Sequence, residues 1–200
     1  ASERYPDIPS ISARLDELYG ASMGTLVRKK GEVQLVGFFA DFIEDALASE
    51  PVFEPMLEFV AEILLHPLTK DGHFVPELVE GEKRNLANAI AACINDKRSY
   101  ALTRCIEEMC CYEDFAVSRL GGEEEAENIN YKKLTRHYRA LLQTCPMELF
   151  YCGKTGMKQV SAAFREALAS MPRGEIDYDL GTDIRMNAVD AQPRYVEEQM

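Results

Sequence analysis

Residues 75–112 carry the longest helical pattern in the chain, and any fold has to accommodate it. Pro76 suits the first position of a helix, where the missing N–H costs nothing. Glu77, Glu80 and Glu82 crowd the first two turns, near the positive end of the helix dipole. Leu78, Val79, Leu86, Ile90, Cys93 and Ile94 recur at helical spacing and form one apolar stripe. Asn95-Asp96 interrupts the stripe, and Asp96 is a natural N-cap for a second helix. The spacing turns Tyr100, Ala101, Cys105, Ile106 and Met109 of that second helix inward. These two segments are expected to be the main helical layer, with a sheet packed against it.

The rest of the chain supplies that sheet and further helices. Ser10 reads as the N-cap of a helix over 11–19, with Ile11, Leu15 and Leu18 buried and Gly20 as its stop. Strands over 23–29 and 32–39 flank a hairpin turn at Lys30-Gly31. A loop or short helix is expected over 41–49. Pro51 then opens a strong helix with a stripe of Phe53, Met56, Leu57, Val60, Ile63 and Leu64, closed by Pro67. Asp71-Gly72 is the turn of a loop over 67–75. Gly121-Gly122 and the acidic run 123–127 read as an exposed connection. Asn130 caps a helix over 131–142 with Leu134, Tyr138 and Leu141 inward. Residues 147–151 read as an apolar strand. Thr155 or Gly156 opens a last helix with Val160, Phe164 and Leu168 in register.

The pattern changes after Pro172: prolines, glycines and scattered acids without periodicity give an extended linker. The expected organisation is therefore one domain over 1–171 and a linker over 172–200 leading towards a following domain. Antiparallel strands with helices packed on one face make an α+β fold of two layers. Three strands are few for so many helices, which predicts that the domain is partial and that further strands precede Ala1.

Bulk properties narrow the function. Two hundred residues can bury about 70% of the surface of the unfolded chain, so no disulfide or metal is needed for a core. A net charge of −12 argues against nucleic acid and anionic lipid as partners. No apolar run approaches the ~20 residues of a membrane span, and residues 1–20 lack the basic-then-apolar pattern of a signal peptide. A cytoplasmic location is expected. The six cysteines, Cys93, Cys105, Cys110, Cys111, Cys145 and Cys152, include no Cys-x-x-Cys, so reduced core thiols are expected rather than a zinc site.

Several stretches together resemble a known family. They are Ile11–Ala21, Gln34–Phe39, Leu64-Leu65-His66-Pro67, Val79-Glu80-Gly81-Glu82-Lys83-Arg84-Asn85-Leu86 and Asn95-Asp96-Lys97-Arg98-Ser99-Tyr100-Ala101. In this order and spacing they are similar to the pitrilysin/insulinase/mitochondrial-processing-peptidase family of zinc peptidases, and most of all to a bacterial non-catalytic branch. The resemblance covers roughly residues 5–170. It implies tandem α+β units enclosing a chamber for peptides, with the His-x-x-Glu-His helix of active members lying before Ala1.

Peptide hydrolysis by zinc needs histidine ligands, a carboxylate ligand and a glutamate base. The histidines are His66, His73 and His137, and none lies in His-x-x-Glu-His or His-Glu-x-x-His. Glu62 and His66 are four apart, but Pro67 follows at once, so His66 reads as a helix-end residue near the negative pole of the dipole. The resemblance places the remaining zinc ligand seven positions after a glutamate that Glu82 matches, which is Ala89, and a methyl group binds no cation. Glu80 is the fallback carboxylate; by itself it reads as an exposed acid near a helix start. Lys154-Thr155-Gly156 lacks the glycine loop of a phosphate cradle, and Cys110-Cys111 lacks a neighbouring histidine to activate a thiol.

The expectations are accordingly no catalytic, cofactor-binding or metal residue in this chain, with zinc only if the parent protein carries the upstream motif. The function expected is that of a non-catalytic domain helping to form a peptide-binding chamber. Its partners would be a peptide or protein substrate and a homologous peptidase partner or second domain, with no nucleic acid and no membrane. Two alternatives stay open: part of an active zinc metalloendopeptidase whose motif lies outside this chain, and an unrelated α+β protein-interaction module.

Overall fold

The computed structural model describes residues 1–179, 195 and 197. The chain gathers into two compact units: Ala1–Val27, Val36–Val79 and Asn130–Tyr178 form the first, and Arg28–Leu35 with Glu80–Ile129 the second. The class is α+β, with small antiparallel strand pairs and helices, as the sequence predicts.

In the first unit, helix α1 spans Ile8–Glu17 and starts one turn earlier than expected. Its cap is Asp7, not Ser10. The Asp7 carboxylate accepts from the Ser10 N–H at 2.9 Å, and Ser10 Oγ accepts from the Asp7 N–H at 3.3 Å, a reciprocal box that uses both residues. These bonds to Ser10 hold the Asp7 carboxyl below its usual range. Tyr19 and Gly20, both at positive φ, end the helix.

Strands β1 (Ser22–Lys30) and β2 (Val33–Asp41) form a hairpin through Gly31, at φ +61°. Its base belongs to the first unit and its tip, Arg28–Leu35, to the second. A single 3-10 turn at Asp45–Leu47 precedes α2, Phe53–Leu65. Apart from Glu54, Glu58 and Glu62, every residue of α2 is apolar, so it is buried on most of its circumference. Val52, Met56 and Phe59 make a core with Leu18 and Ala21, while Phe53 packs with Val160 and Ala163 of the last helix. Phe59, absent from the expected stripe, is only 2% exposed.

A two-residue strand pair follows, β3 (Thr69–Lys70) and β4 (His73–Phe74), with Thr69 opposite Phe74 and Lys70 opposite His73. Asp71 and Gly72 turn it, both at positive φ. The turn was expected; the strands, too short to alternate, were not.

Helix α3, Pro76–Ala92, begins in the first unit and continues in the second, where a 3-10 turn at Cys93–Asn95 leads to α4, Lys97–Met109. Asp96 caps α4 as expected, accepting from Ser99 N at 3.1 Å and Ser99 Oγ at 2.7 Å, and these bonds lower its pKa. The expected main layer is corrected, however. Only Val79 is buried in α3 and no residue is buried in α4; Ala101 and Cys105 are exposed, and Met109 is 71% exposed. Glu77, Glu80, Glu82, Lys83, Arg84, Asn85 and Asn88 ring α3 with polar groups, and within the first unit the buried residues gather on the mostly apolar α2.

The second unit also contains a 3-10 turn at Asp114–Ala116 and α5, Glu123–Glu127, where only a connection was expected. Lys29 Nζ donates to the carbonyls of Phe115 and Val117 and lies over the Phe115 ring at 4.9 Å. Lys83 Nζ donates to Glu127 O at 3.0 Å.

Back in the first unit, α6 spans Tyr131–Thr144 under the expected Asn130 cap. It grips the β3–β4 turn. Thr135 Oγ1 accepts from Phe74 N at 2.9 Å, the Phe74 and Tyr138 rings meet edge-on at 5.3 Å, and Arg139 donates to Gly72 O. The expected strand over 147–151 does not form. Among the described residues no backbone hydrogen bond joins it to another segment; Leu149 is exposed and Phe150 is 91% exposed. Tyr151 alone turns inward, onto Phe53. An apolar run becomes a strand only beside a partner edge.

Helix α7, Met157–Ala167, starts after Gly156 as expected and packs on α2. Beyond Pro172, Arg173 donates at 2.8 Å to both Leu142 O and Cys145 O, Gly174 N to Gln143 O and Asp177 N to Thr144 O. The first residues of the expected linker thus lie along the end of α6. The remainder of the linker falls outside the described residues, Tyr195 and Glu197 excepted.

Candidate functional site

Among the described residues, glutamates and a histidine come together at the C-terminal end of α2. His66 is its C-cap, exposed, with its N–H donating to Glu62 O at 3.0 Å and its carbonyl accepting from Glu3 N at 2.9 Å. The Glu62 carboxylate accepts from the Arg4 N–H at 3.1 Å. Both are held by the N-terminal segment, which also bridges Ser2 to Pro67. Glu54, Glu58 and Glu62 repeat every fourth residue along α2, and with Arg4, His66 and Glu166 they line a half-open groove of about 360 Å³.

The other candidates lie apart in the fold. His73 is on β4, edge-on to Tyr131 at 5.8 Å, with a buried Nδ1 that has no hydrogen-bond partner among the described residues. His137 is exposed on α6. On α3, Glu80 pairs with Lys83 at 3.4 Å, and Glu82 accepts from Asn85 at 3.3 Å. Ala89, two turns beyond Glu82, is exposed and offers only its carbonyl, which accepts from Cys93 Sγ. Among the described residues no group of three or more His, Cys, Asp or Glu side chains is placed to hold a metal ion. Zinc, which the family resemblance implies, therefore finds no assembled donor set among the described residues: Glu62 and His66 share a helix end without a third ligand, and Ala89 has no donor side chain.

Lys154 pairs with Glu44 at 3.2 Å, and its N–H donates to the same carboxylate, so it is not poised for phosphate. All six cysteines are free, but Cys93, Cys105, Cys111 and Cys152 are exposed. The expectation of core thiols is corrected: the helix faces that carry Cys93 and Cys105 are open. No helix among the described residues is long and apolar enough to cross a membrane.

Sequence reasoning missed the residues that hold the site's surroundings in place. Asp45 caps α2 from outside the helix, and Tyr138 donates its hydroxyl to Leu64 O. Neither is signalled by a local motif: Asp45 lies seven residues before the N-cap position of α2, outside any capping pattern, and Tyr138 acts on a segment 74 residues away.

The described residues form an α+β fold without an assembled metal centre. No protein-family model matches the chain. It is 28% identical over 164 residues to the "Probable inactive metalloprotease YmfF" of Bacillus subtilis (strain 168), covering 81% of this chain and 38% of that protein. Among solved structures, a conserved protein from Enterococcus faecalis V583 superimposes with a TM-score of 0.77 at 26% identity, over 87% of this chain and 41% of that one. The chain thus spans less than half the length of either relative.

Proposed function

We propose that this chain is a non-catalytic, zinc-peptidase-like domain of the pitrilysin/insulinase/processing-peptidase kind. In this reading it contributes a wall of a peptide-binding chamber, completed by a homologous peptidase partner or a second domain. The observation that carries the reading is the relation to a protein described as an inactive metalloprotease, over four-fifths of this chain. The position of Ala89, where the resemblance calls for a carboxylate, supports it. A net charge of −12, with the glutamates of α2 lining a groove, favours basic peptides over acidic ones. The domain reading of 1–171 with a linker over 172–200 belongs to the same proposal.

The test is titration of the chain with a fluorescent basic peptide and an acidic one of equal length, followed by mass analysis of the peptides. Salt-sensitive binding of the basic peptide without cleavage is the expected outcome. Cleavage by the chain alone would overturn the non-catalytic reading, and equal binding of both peptides would overturn the charge preference.

A further inference from the structure

We propose that Cys110-Cys111, at the end of α4, is a two-thiol site that takes a trivalent arsenical, a soft centre satisfied by two sulfurs. The inference is independent of the peptidase reading.

Adjacency in the chain fixes the separation of the two residues. No described peptide bond is cis, so their Cα atoms stand about 3.8 Å apart. Inside a helix that would not suffice, because consecutive side chains do not face the same way. The helix, however, stops at Met109. Cys110 has φ −107° and ψ 21°, in the bridge region rather than the helical one. Its N–H donates to Ile106 O at 2.9 Å and its carbonyl accepts from Glu113 N at 2.8 Å, so the backbone carrying the pair is a closed turn. Both thiols are free; Cys111 is exposed and Cys110 half-buried. Rotation about the Cα–Cβ bonds is enough to bring both sulfurs to one atom.

The number of donors selects the ligand. No third His, Cys, Asp or Glu among the described residues is placed to complete a metal site. Zinc, held in structural sites by four ligands, is not satisfied by the pair. Trivalent arsenic carrying one organic group takes two sulfurs. Two As–S bonds form, the bonds from arsenic to oxygen break, and the oxygen leaves as water with the two thiol protons. No electron changes hands, so the step needs no oxidant or reductant. Sulfur is the soft donor, so nearby carboxylates do not compete for a soft centre, and Glu107 and Glu108 are in any case paired with Arg104.

The competing arrangement joins one of the pair to Cys105, on the preceding turns of α4. The test exposes the reduced full chain to phenylarsine oxide, then to excess glutathione, a monothiol that strips arsenic from single cysteines, and reads the intact mass. One retained arsenic per chain is expected, mapped to residues 110–111 and removed by the dithiol 2,3-dimercaptopropanol. Cys105→Ser is expected to retain it, and Cys110→Ser and Cys111→Ser to lose it. Mapping on the unaltered chain gives a readout free of any folding defect in a variant. An unaltered chain that retains no arsenic would overturn the inference. So would retention in Cys111→Ser, loss in Cys105→Ser, or arsenic mapped to any other cysteine.

Discussion

The Asp45 carboxylate accepts the backbone N–H of Phe53 at 3.0 Å, and the same oxygen takes the N–H of Val52 at 2.8 Å. Val52, at the N-cap position of α2, has no side chain able to do this, so a residue seven positions upstream caps the central helix. Two first-turn donors depend on one oxygen. Asp45→Ala should cost about 1–2 kcal/mol, at the upper end of cap substitutions, with Asp45→Asn recovering much of it. Urea unfolding of the three proteins measures this; a loss under a few tenths of a kcal/mol for Asp45→Ala would show that the cap is dispensable.

The placement of the core gives a contrast between two helices. Phe59 on α2 is buried, whereas Leu102 on α4 is exposed. Phe59→Ala should destabilise by about 3–5 kcal/mol, and Leu102→Ala by no more than about 0.5 kcal/mol in a monomer. Denaturant midpoints at low protein concentration compare them. Equal losses would restore residues 97–109 to the core.

Tyr138 gives a pH dependence. Burial pushes its phenol up to about 12, and the hydroxyl donates to Leu64 O. The folded state therefore favours the protonated phenol. Its contribution to stability is complete below the unfolded value near 10 and is lost as pH rises from there through about 12. Absorbance titration of the tyrosines should show one late phenolate that Tyr138→Phe removes. Ionisation of all tyrosines together near 10 would contradict the buried placement.

Arg173 fastens the chain after Pro172 to the end of α6 through two carbonyls. Arg173→Ala should raise amide exchange at Gly174 and Asp177, whose N–H groups donate to Gln143 and Thr144, while the middle of α6 stays protected. Limited proteolysis should cut the variant first near 173–177. An unchanged exchange pattern would mean that the backbone bonds suffice.

What could be read from the sequence was whatever local chemistry decides. Gly31 turns the first hairpin, Asp71-Gly72 the second, Asp96 and Asn130 cap their helices, and Pro67 follows the end of α2. Tertiary choice was less visible. Residues 97–109 have a helical stripe that stays open in the second unit, while α2, with only three polar positions, carries the core of the first. Residues 147–151 have strand composition and no adjacent edge, so only Tyr151 is used, against Phe53. At the candidate site, the helix-end position of His66 was legible from Pro67. The engagement of Glu62 by the Arg4 N–H was not, because it joins residues 58 apart in the chain.

The most direct measurement is the metal content of the chain after incubation with zinc and gel filtration. The expected result is no retained stoichiometric zinc and no change in thermal stability, since the described residues assemble no set of three ligands, Ala89 has no donor side chain, and His66, His73 and His137 sit on separate elements. One zinc per chain, lost on His66→Ala, would contradict the non-catalytic assignment.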